Sequence, residues 1–288
     1  MKFPFHKMHG CGNDFIIIDY IGVQAPDFFP SEITYLCDRH YGLGADGFVV
    51  LYEEKDVHAG WRFFNSDGSP AEMCGNAARC VIKYLAERHY PNEVPISLRT
   101  DVGIIKGKVM EENPQIVEIT LSPVALKDFE YEQKLVVAGE NSFDVYCINT
   151  GVPHAVIEVR DIATYPILDV GRKLLKHPVF GEAGTNVTFF QRSVGSKIKA
   201  TTFERGVEHE TFACGTGVAA AAIIYSELFL QPFPIEVEAP GGVLEVDVSP
   251  VSKMLLLRGS AEHVYTLELE HIPRNFEKPV LYSDRKLS

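Results

Sequence analysis

The sequence predicts an α+β protein of two pseudo-symmetric domains, each a curved mixed β-sheet wrapped around a central helix. Three observations predict it. Short apolar strands separated by glycine turns recur through the chain. Two apolar helical stretches stand among them, each opened by a Cys-Gly pair, at Cys74-Gly75 and Cys214-Gly215. The landmarks of the first half return in the second at a nearly constant offset: Cys74 to Cys214, Gly44 to Gly184 and Asn65 to Arg205 are each 140 residues apart, and Gly12 to Gly151 is 139. A run of matches in order indicates internal duplication rather than turn chemistry that βα units share in any case.

The elements follow in order. After the glycine turn at Gly10-Cys11-Gly12, the run 15–19 reads as a strand, and 47–52 and 61–64 as two more. The spacing of Ala77, Val81, Tyr84 and Leu85 predicts a helix over 77–88. Strands over 96–100, 104–109 and 117–121 complete the first half, and the second begins near Ser122-Pro123. It offers strands at 145–149, 155–159, 186–190 and 198–203, then a helix from Cys214 through Tyr225 that is apolar all round and so belongs inside its own domain. The runs 235–238, 243–248 and 254–257 read as hairpin strands, with Gly241-Gly242 as a turn.

Bulk properties exclude several function classes. The 288 residues suffice for two cores or one large one. A formal charge of −12 with no basic run makes nucleic acid and anionic membrane poor partners. No apolar run reaches the length of a membrane span, and the N-terminus lacks the apolar core of a signal peptide. The six cysteines have no CxxC spacing and no paired framework, which points to a reducing, cytoplasmic setting without a metal site.

Cys74 and Cys214 carry the chemical expectation. A thiol at a helix N-terminus meets free backbone N–H groups and the positive end of the helix dipole, which favour the thiolate. The same N–H groups, at Gly75 and Asn76 on one side and Gly215 and Thr216 on the other, can hold a carboxylate. Two such thiols facing one α-carbon suit proton exchange between its faces, one as base and the other as acid. No cofactor is needed if aimed donors hold the carboxylate that carries the developing charge. The bland reading of each is a small buried thiol, but the matched Cys-Gly starts argue against it. Cys80, six positions on and on another helix face, reads as packing, and Cys11 is given no role. Glu208 and His209 read as solvated loop residues.

Five segments carry a wider likeness: His9-Gly10-Cys11-Gly12-Asn13-Asp14-Phe15; Gly42-Leu43-Gly44-Ala45-Asp46-Gly47; Asn65-Ser66-Asp67-Gly68-Ser69-Pro70-Ala71-Glu72-Met73-Cys74-Gly75-Asn76; Gly184-Thr185-Asn186-Val187; and Glu204-Arg205-Gly206-Val207 with Ala213-Cys214-Gly215-Thr216-Gly217. Together they resemble the diaminopimelate epimerase family over nearly the whole chain. The resemblance implies a cofactor-independent epimerase that interconverts LL- and meso-diaminopimelate for lysine and cell-wall synthesis, with Cys74 and Cys214 as the proton-transfer pair. It implies that His154 and Glu204 assist at the thiols, that Arg205 binds a distal carboxylate, and that Asn13, Asn65 and Asn186 fix amino and carboxylate groups. It also implies a homodimer, and a final strand that returns to the first domain. The domains are then 1–120 with 266–288, carrying Cys74, and 121–265, carrying Cys214.

Two departures bear on specificity. The family commonly has Gly-Asn-Pro-His where this chain has Gly151-Val152-Pro153-His154, and Val152 cannot hydrogen-bond through its side chain. A site that loses a polar contact discriminates less against substrates without the distal group. The loop from Val207 to Thr211 is also one residue longer than the commonest pattern. These keep open a racemase of the same fold acting on another amino acid such as glutamate. A two-cysteine redox protein and a non-catalytic amino-acid-binding protein are further readings. Asn76, standing where proline racemases typically carry histidine, argues against that enzyme.

Overall fold

In the computed structural model the strands form a continuous hydrogen-bonded ribbon that repeats one pairing pattern twice. The structure describes residues 4–278 apart from 72, 207, 208 and 270, and only the backbone of 122–124. The first half runs β1 (Phe5–Gly10), β2 (Asn13–Tyr20), α1 (Pro30–Cys37), β3 (Gly47–Tyr52), β4 (Ala59–Asn65), α2 (Gly75–Arg88), β5 (Ile96–Thr100), β6 (Gly103–Val109) and β7 (Ile116–Ala125). The second runs β8 (Tyr131–Ala138), β9 (Asn141–Asn149), β10 (Pro153–Glu158), α3 (Ile167–Leu175), β11 (Asn186–Arg192), β12 (Lys197–Glu204), β13 (His209–Glu210), α4 (Gly215–Phe229), β14 (Ile235–Ala239), β15 (Gly242–Val248), β16 (Met254–Ser260) and β17 (Glu262–Leu267).

In the first half, β1 and β2 are antiparallel, β2 and β3 parallel, β3 and β4 antiparallel, β4 and β5 parallel, and β5, β6 and β7 antiparallel in turn. The second half repeats this with β9 and β10, then β11, β12, β14, β15 and β16. The halves meet at an antiparallel seam between β7 and β16. Beyond that seam β17 crosses back and pairs with β1, as β8 pairs with β9. The returning strand is therefore Glu262–Leu267, the expected boundary at 120/121 falls inside β7, and 279–288 lie outside the described residues.

Alternation along the strands explains the long apolar runs. Phe15 and Ile17 of β2 and Val49 and Leu51 of β3 face the central core, whereas Ile16, Ile18, Phe48 and Val50 face a second cluster under α1. In the second half Val156 and Phe190 face inward, and Ala155, Ile157, Val187 and Phe189 face α3. Strands covered on both faces need apolar residues at successive positions. The central core is shared: Ala77, Ala78, Val81, Ile82 and Leu85 of α2 join Val218 through Ile224 of α4 in one cluster. Small alanines on α4 let the surrounding strands approach closely.

Several expectations shift in detail. Both long helices start at the glycine, Gly75 and Gly215, so the first begins two residues before the expected 77. The last hairpin turns on Pro240-Gly241, with Ala239 paired to Gly242, one residue ahead of the expected Gly241-Gly242. Helices α1 and α3 and strands β1, β8 and β13 were not expected, and the returning strand β17 lies earlier than the expected 266–288. Among the described residues no helix is long and apolar enough to cross a membrane.

Leu257 of β16 sits at the join of the two halves. It is fully buried, and a methyl group placed on Gly75 or Gly215 would lie 3.4 Å or 3.1 Å from its Cδ2. Replacing Leu257 with Ala should therefore cost about 2–5 kcal/mol, because the cavity would open between two helix starts that cannot collapse onto it. Urea unfolding measures this, and a loss under about 1 kcal/mol would contradict the packing described.

Candidate active site

The two cysteines occupy matching places. Cys74 precedes α2 with φ −143° and ψ 121°, and Cys214 precedes α4 with φ −107° and ψ 107°. Both are extended residues at the N-cap, where serine, threonine or aspartate normally fills the free amides. The helix starts come together because each begins with glycine: a methyl on Gly215 would lie 3.7 Å from Gly75 Cα. Asn76 ties them, its Nδ2 donating to Ala213 O at 2.7 Å. The positive ends of two helices thus meet at one point, each with unfilled first-turn amides.

On the first-half side, Asn76 Nδ2 also donates to Asn13 Oδ1 at 3.0 Å, and the Cys74 thiol lies 3.6 Å from that same oxygen. Asn13 Nδ2 donates to Asp46 Oδ2 at 2.7 Å. Asp46 in turn pairs with Arg39 at 2.8 Å, and Arg39 also grips Asp14 through both terminal nitrogens. Lys7 reaches Asp14 at 2.7 Å and also bonds Gly44 O. This carboxylate is held down to about 2: burial opposes ionisation, but Arg39 and Lys7 outweigh it. Asn65 stands apart from this network. Its Nδ2 donates to Ser69 Oγ at 3.0 Å, within the turn that follows β4.

On the second-half side, Cys214 Sγ lies 3.4 Å from Thr216 Oγ1, and Thr216 Oγ1 lies 3.0 Å from His154 Nε2. The chain continues from His154 Nδ1 to Thr188 Oγ1 at 2.9 Å and on to Thr202 Oγ1 at 3.1 Å. His154 therefore reaches the thiol through a threonine. Glu204, at the end of β12, accepts from Thr211 Oγ1 at 2.5 Å. Asn186 Oδ1 accepts from the Arg205 backbone N–H at 2.9 Å, and the Arg205 guanidinium, exposed, bonds Ala183 O at 2.9 Å. Gly151, beside Val152, packs on Thr216: a methyl there would lie 3.6 Å from its Cγ2.

Burial reverses one expectation. The Cys74 thiol is pushed up to about 11 by desolvation, with the negative charge of Glu204 adding to it. The amides of Asn76 and Ala77 and the charge of Arg79 pull the other way and lose. Cys214 is raised well above the ordinary thiol value, again by burial first and Glu204 second, against Thr216 and the Gly217 amide. The helix ends do aim amides at the sulfurs, yet the resting pair is held as two thiols. Glu204 is itself raised by burial, although hydrogen bonds from Thr211 and Cys214 oppose that. Its charge bears on both sulfurs, and Cys74 bears on Cys214, so the three groups share one small region. His154 is lowered to about 3 by burial and by Arg205.

The structure thus gathers Cys74, Asn13, Gly75 and Asn76 on one side, and Cys214, Gly215, Thr216, His154 and Glu204 on the other. Asn186 and Arg205 join each other, and Asn65 lies in its own turn. Arg79, Asp46, Thr188 and Thr202 were missed. Asp46 lies within a quoted motif; a cation inside an apolar helix was the available signal for Arg79. Among the described residues no group of three or more His, Cys, Asp or Glu is set to hold a metal.

The architecture is a two-domain fold, each half a repeated sheet around a helix, that solved structures of low sequence identity share. A hydroxyproline epimerase from Agrobacterium vitis superposes with TM-score 0.66 at 15% identity, over 94% of this chain and 95% of its own. A phenazine-biosynthesis protein of the PhzF family from Bacillus anthracis gives TM-score 0.65 at 16% identity, over 93% and 98%. The sequence goes further: residues 5–126 and 146–264 match the family described as Diaminopimelate epimerase. The diaminopimelate epimerase of Aquifex aeolicus (strain VF5) is 38% identical over 274 residues, which is 91% of this chain and 95% of that protein. The chain belongs to the diaminopimelate epimerase family.

Buried His154 makes stability depend on pH. Its folded value of about 3 lies below the ordinary 6.5, so in that window the unfolded chain binds the extra proton and stability falls as pH drops. Glu204, held above its ordinary 4.5, acts in the opposite sense, but it is present in both proteins of a comparison. Urea unfolding of wild type and His154→Gln between pH 7 and 4 should show the wild type losing stability more steeply on acidification. Parallel curves would contradict the buried, neutral imidazole.

Proposed function

We propose that the chain interconverts LL- and meso-diaminopimelate without a cofactor, moving the α-proton between Cys74 and Cys214. The observation that carries the reading is the meeting of two Cys-capped helix starts in a chain of this family. The substrate carboxylate takes the amides of Gly75, Asn76, Gly215 and Thr216, which are oriented before the reaction and cost no reorganisation. One sulfur, as thiolate, removes the α-proton from its face; the other, as thiol, delivers a proton to the opposite face. The C–H bond breaks on one side as a new one forms on the other, and the two sulfurs exchange protonation states. The reverse reaction uses them with roles reversed.

The resting pair must first lose a proton. Glu204 accepts from the Cys214 thiol, and the substrate ammonium supplies the positive charge that stabilises a thiolate in a dry site. His154, neutral and tied through Thr216, orients the hydroxyl beside Cys214. Arg205 and Asn186 meet the distal amino-acid group, with Val152 offering only a nonpolar wall where the family usually has an amide. We assign the protein to the cytoplasm and to a homodimer, in line with six unpaired thiols and the family resemblance.

Cys74→Ser and Cys214→Ser should each fold and lose at least about a thousandfold in kcat, since an alcohol is a far weaker acid than a thiol. Turnover within tenfold of wild type in either variant would remove the two-thiol mechanism. Arg205→Ala should raise KM for diaminopimelate about a hundredfold, with kcat changing less. A panel including glutamate, followed by α-hydrogen exchange into heavy water, separates the proposed substrate from the alternative.

A further inference from the structure

Arg79 is fully buried one turn into α2, and among the described residues no carboxylate pairs with it. Its partners are Asn76 Oδ1 at 2.7 Å, Ser260 O at 3.3 Å, Gly75 O at 3.4 Å and Cys11 Sγ at 3.6 Å. A buried guanidinium without an acid is costly, so a fold that keeps one needs a reason. The fold also makes room for it. A methyl on Gly10 would lie 3.2 Å from Arg79 Nη2, and one on Gly259 would lie 3.1 Å from both Cζ and Nε. Two glycines from different strands thus form the slot that holds the guanidinium.

The position of this cation sets the amides around Cys74. A guanidinium only donates, so Asn76 Oδ1 must accept from it and Asn76 Nδ2 must face outward. That nitrogen then donates to Ala213 O and Asn13 Oδ1. Asn13 Nδ2 is left to donate to Asp46, a carboxylate that only accepts. A donor-only group at one end and an acceptor-only group at the other fix both carboxamides in one orientation, with the Cys74 thiol beside Asn13 Oδ1.

We propose that Arg79 is a positioning residue for proton transfer: it locks Asn76 and Asn13 around Cys74 and serves as the resident positive charge for the anion that forms there. The groups facing Cys74 are Arg79 and Cys80 on its own helix, Glu204 on β12 and Cys214 before α4. Of these charges Arg79 favours the thiolate and Glu204 opposes it. The kinetic part of this inference rests on the function proposed above; the thiol part needs no substrate.

The test uses full-length Arg79→Met and Arg79→Lys, with fold checked by circular dichroism and urea unfolding. The first readout is alkylation of Cys74 by iodoacetamide at pH 9 without substrate, followed by mass spectrometry of the Cys74 peptide. Arg79→Met should slow it about tenfold, equivalent to about one pH unit in the thiol, and lower kcat for diaminopimelate about a hundredfold. Arg79→Lys keeps the charge and loses the fork, so alkylation should return to within threefold of wild type while kcat/KM stays down about tenfold. A folded Arg79→Met with wild-type Cys74 alkylation and kcat/KM within threefold would overturn the proposal. If that variant fails to fold, Arg79→Lys with wild-type kcat/KM would overturn it equally. Slowed alkylation in a protein inactive on diaminopimelate would uphold the role of Arg79 and refute the substrate instead.

Discussion

Two helices meeting N-terminus to N-terminus is an arrangement that electrostatics disfavours. Each end carries roughly half a positive charge and unfilled amides, and like ends repel across a poorly hydrated join. The fold holds them together through packing on Leu257 and Leu121 and through a single carboxamide, Asn76, that bridges to Ala213. A carboxylate or a thiolate placed at such a join is favoured by both helix ends at once. The closing of the helix ends and the placement of the two sulfurs are one fact, because each cysteine is the residue just before its helix.

The repeated pairing pattern is what brings this about. Two equivalent sheets joined edge to edge at the β7–β16 seam place their central helices symmetrically, with both N-termini directed to the seam. The symmetry breaks where chemistry differs. The first half surrounds its thiol with amides, a buried arginine and a network of carboxylates and cations. The second surrounds its thiol with hydroxyls, an uncharged histidine and Glu204. Two sulfurs with like covalent chemistry thereby sit in unlike surroundings, so their protonation need not change together.

Much of this was legible in the sequence, for physical reasons. Strands such as β3 and β11 declare themselves by runs of residues apolar on both faces, and α2 and α4 by apolar periodicity after Cys-Gly. Helix α1 was not legible: it starts at Pro30 behind Phe29, and its cap is the Glu32 carboxylate bonding the Phe29 N–H at 2.9 Å, a contact that shows only once folded. Helix α3 carries Gly171 in its middle, where a side chain would strike Phe203, so local propensity argued against it. At the site, spacing pointed to the two cysteines and their neighbours, but the balance between helix end and burial depends on the folded surroundings. That is why the helix ends were expected to favour a thiolate, whereas burial pushes both thiols up. Arg79 stayed hidden because nothing in its neighbours' identities tells that both its sides are walled by glycine from distant strands.

The central claim is that base and acid approach one carbon from opposite sides as separate groups. The most direct test is a single turnover of LL-diaminopimelate in heavy water, with the isotope at the α-carbon of newly formed meso product determined by mass spectrometry. The account predicts that the first product molecules carry solvent deuterium at the inverted centre while unreacted substrate stays unlabelled. Product that retains the substrate's own α-hydrogen in that first turnover would mean one group serves both faces, and the arrangement of two opposed sulfurs would not be the mechanism.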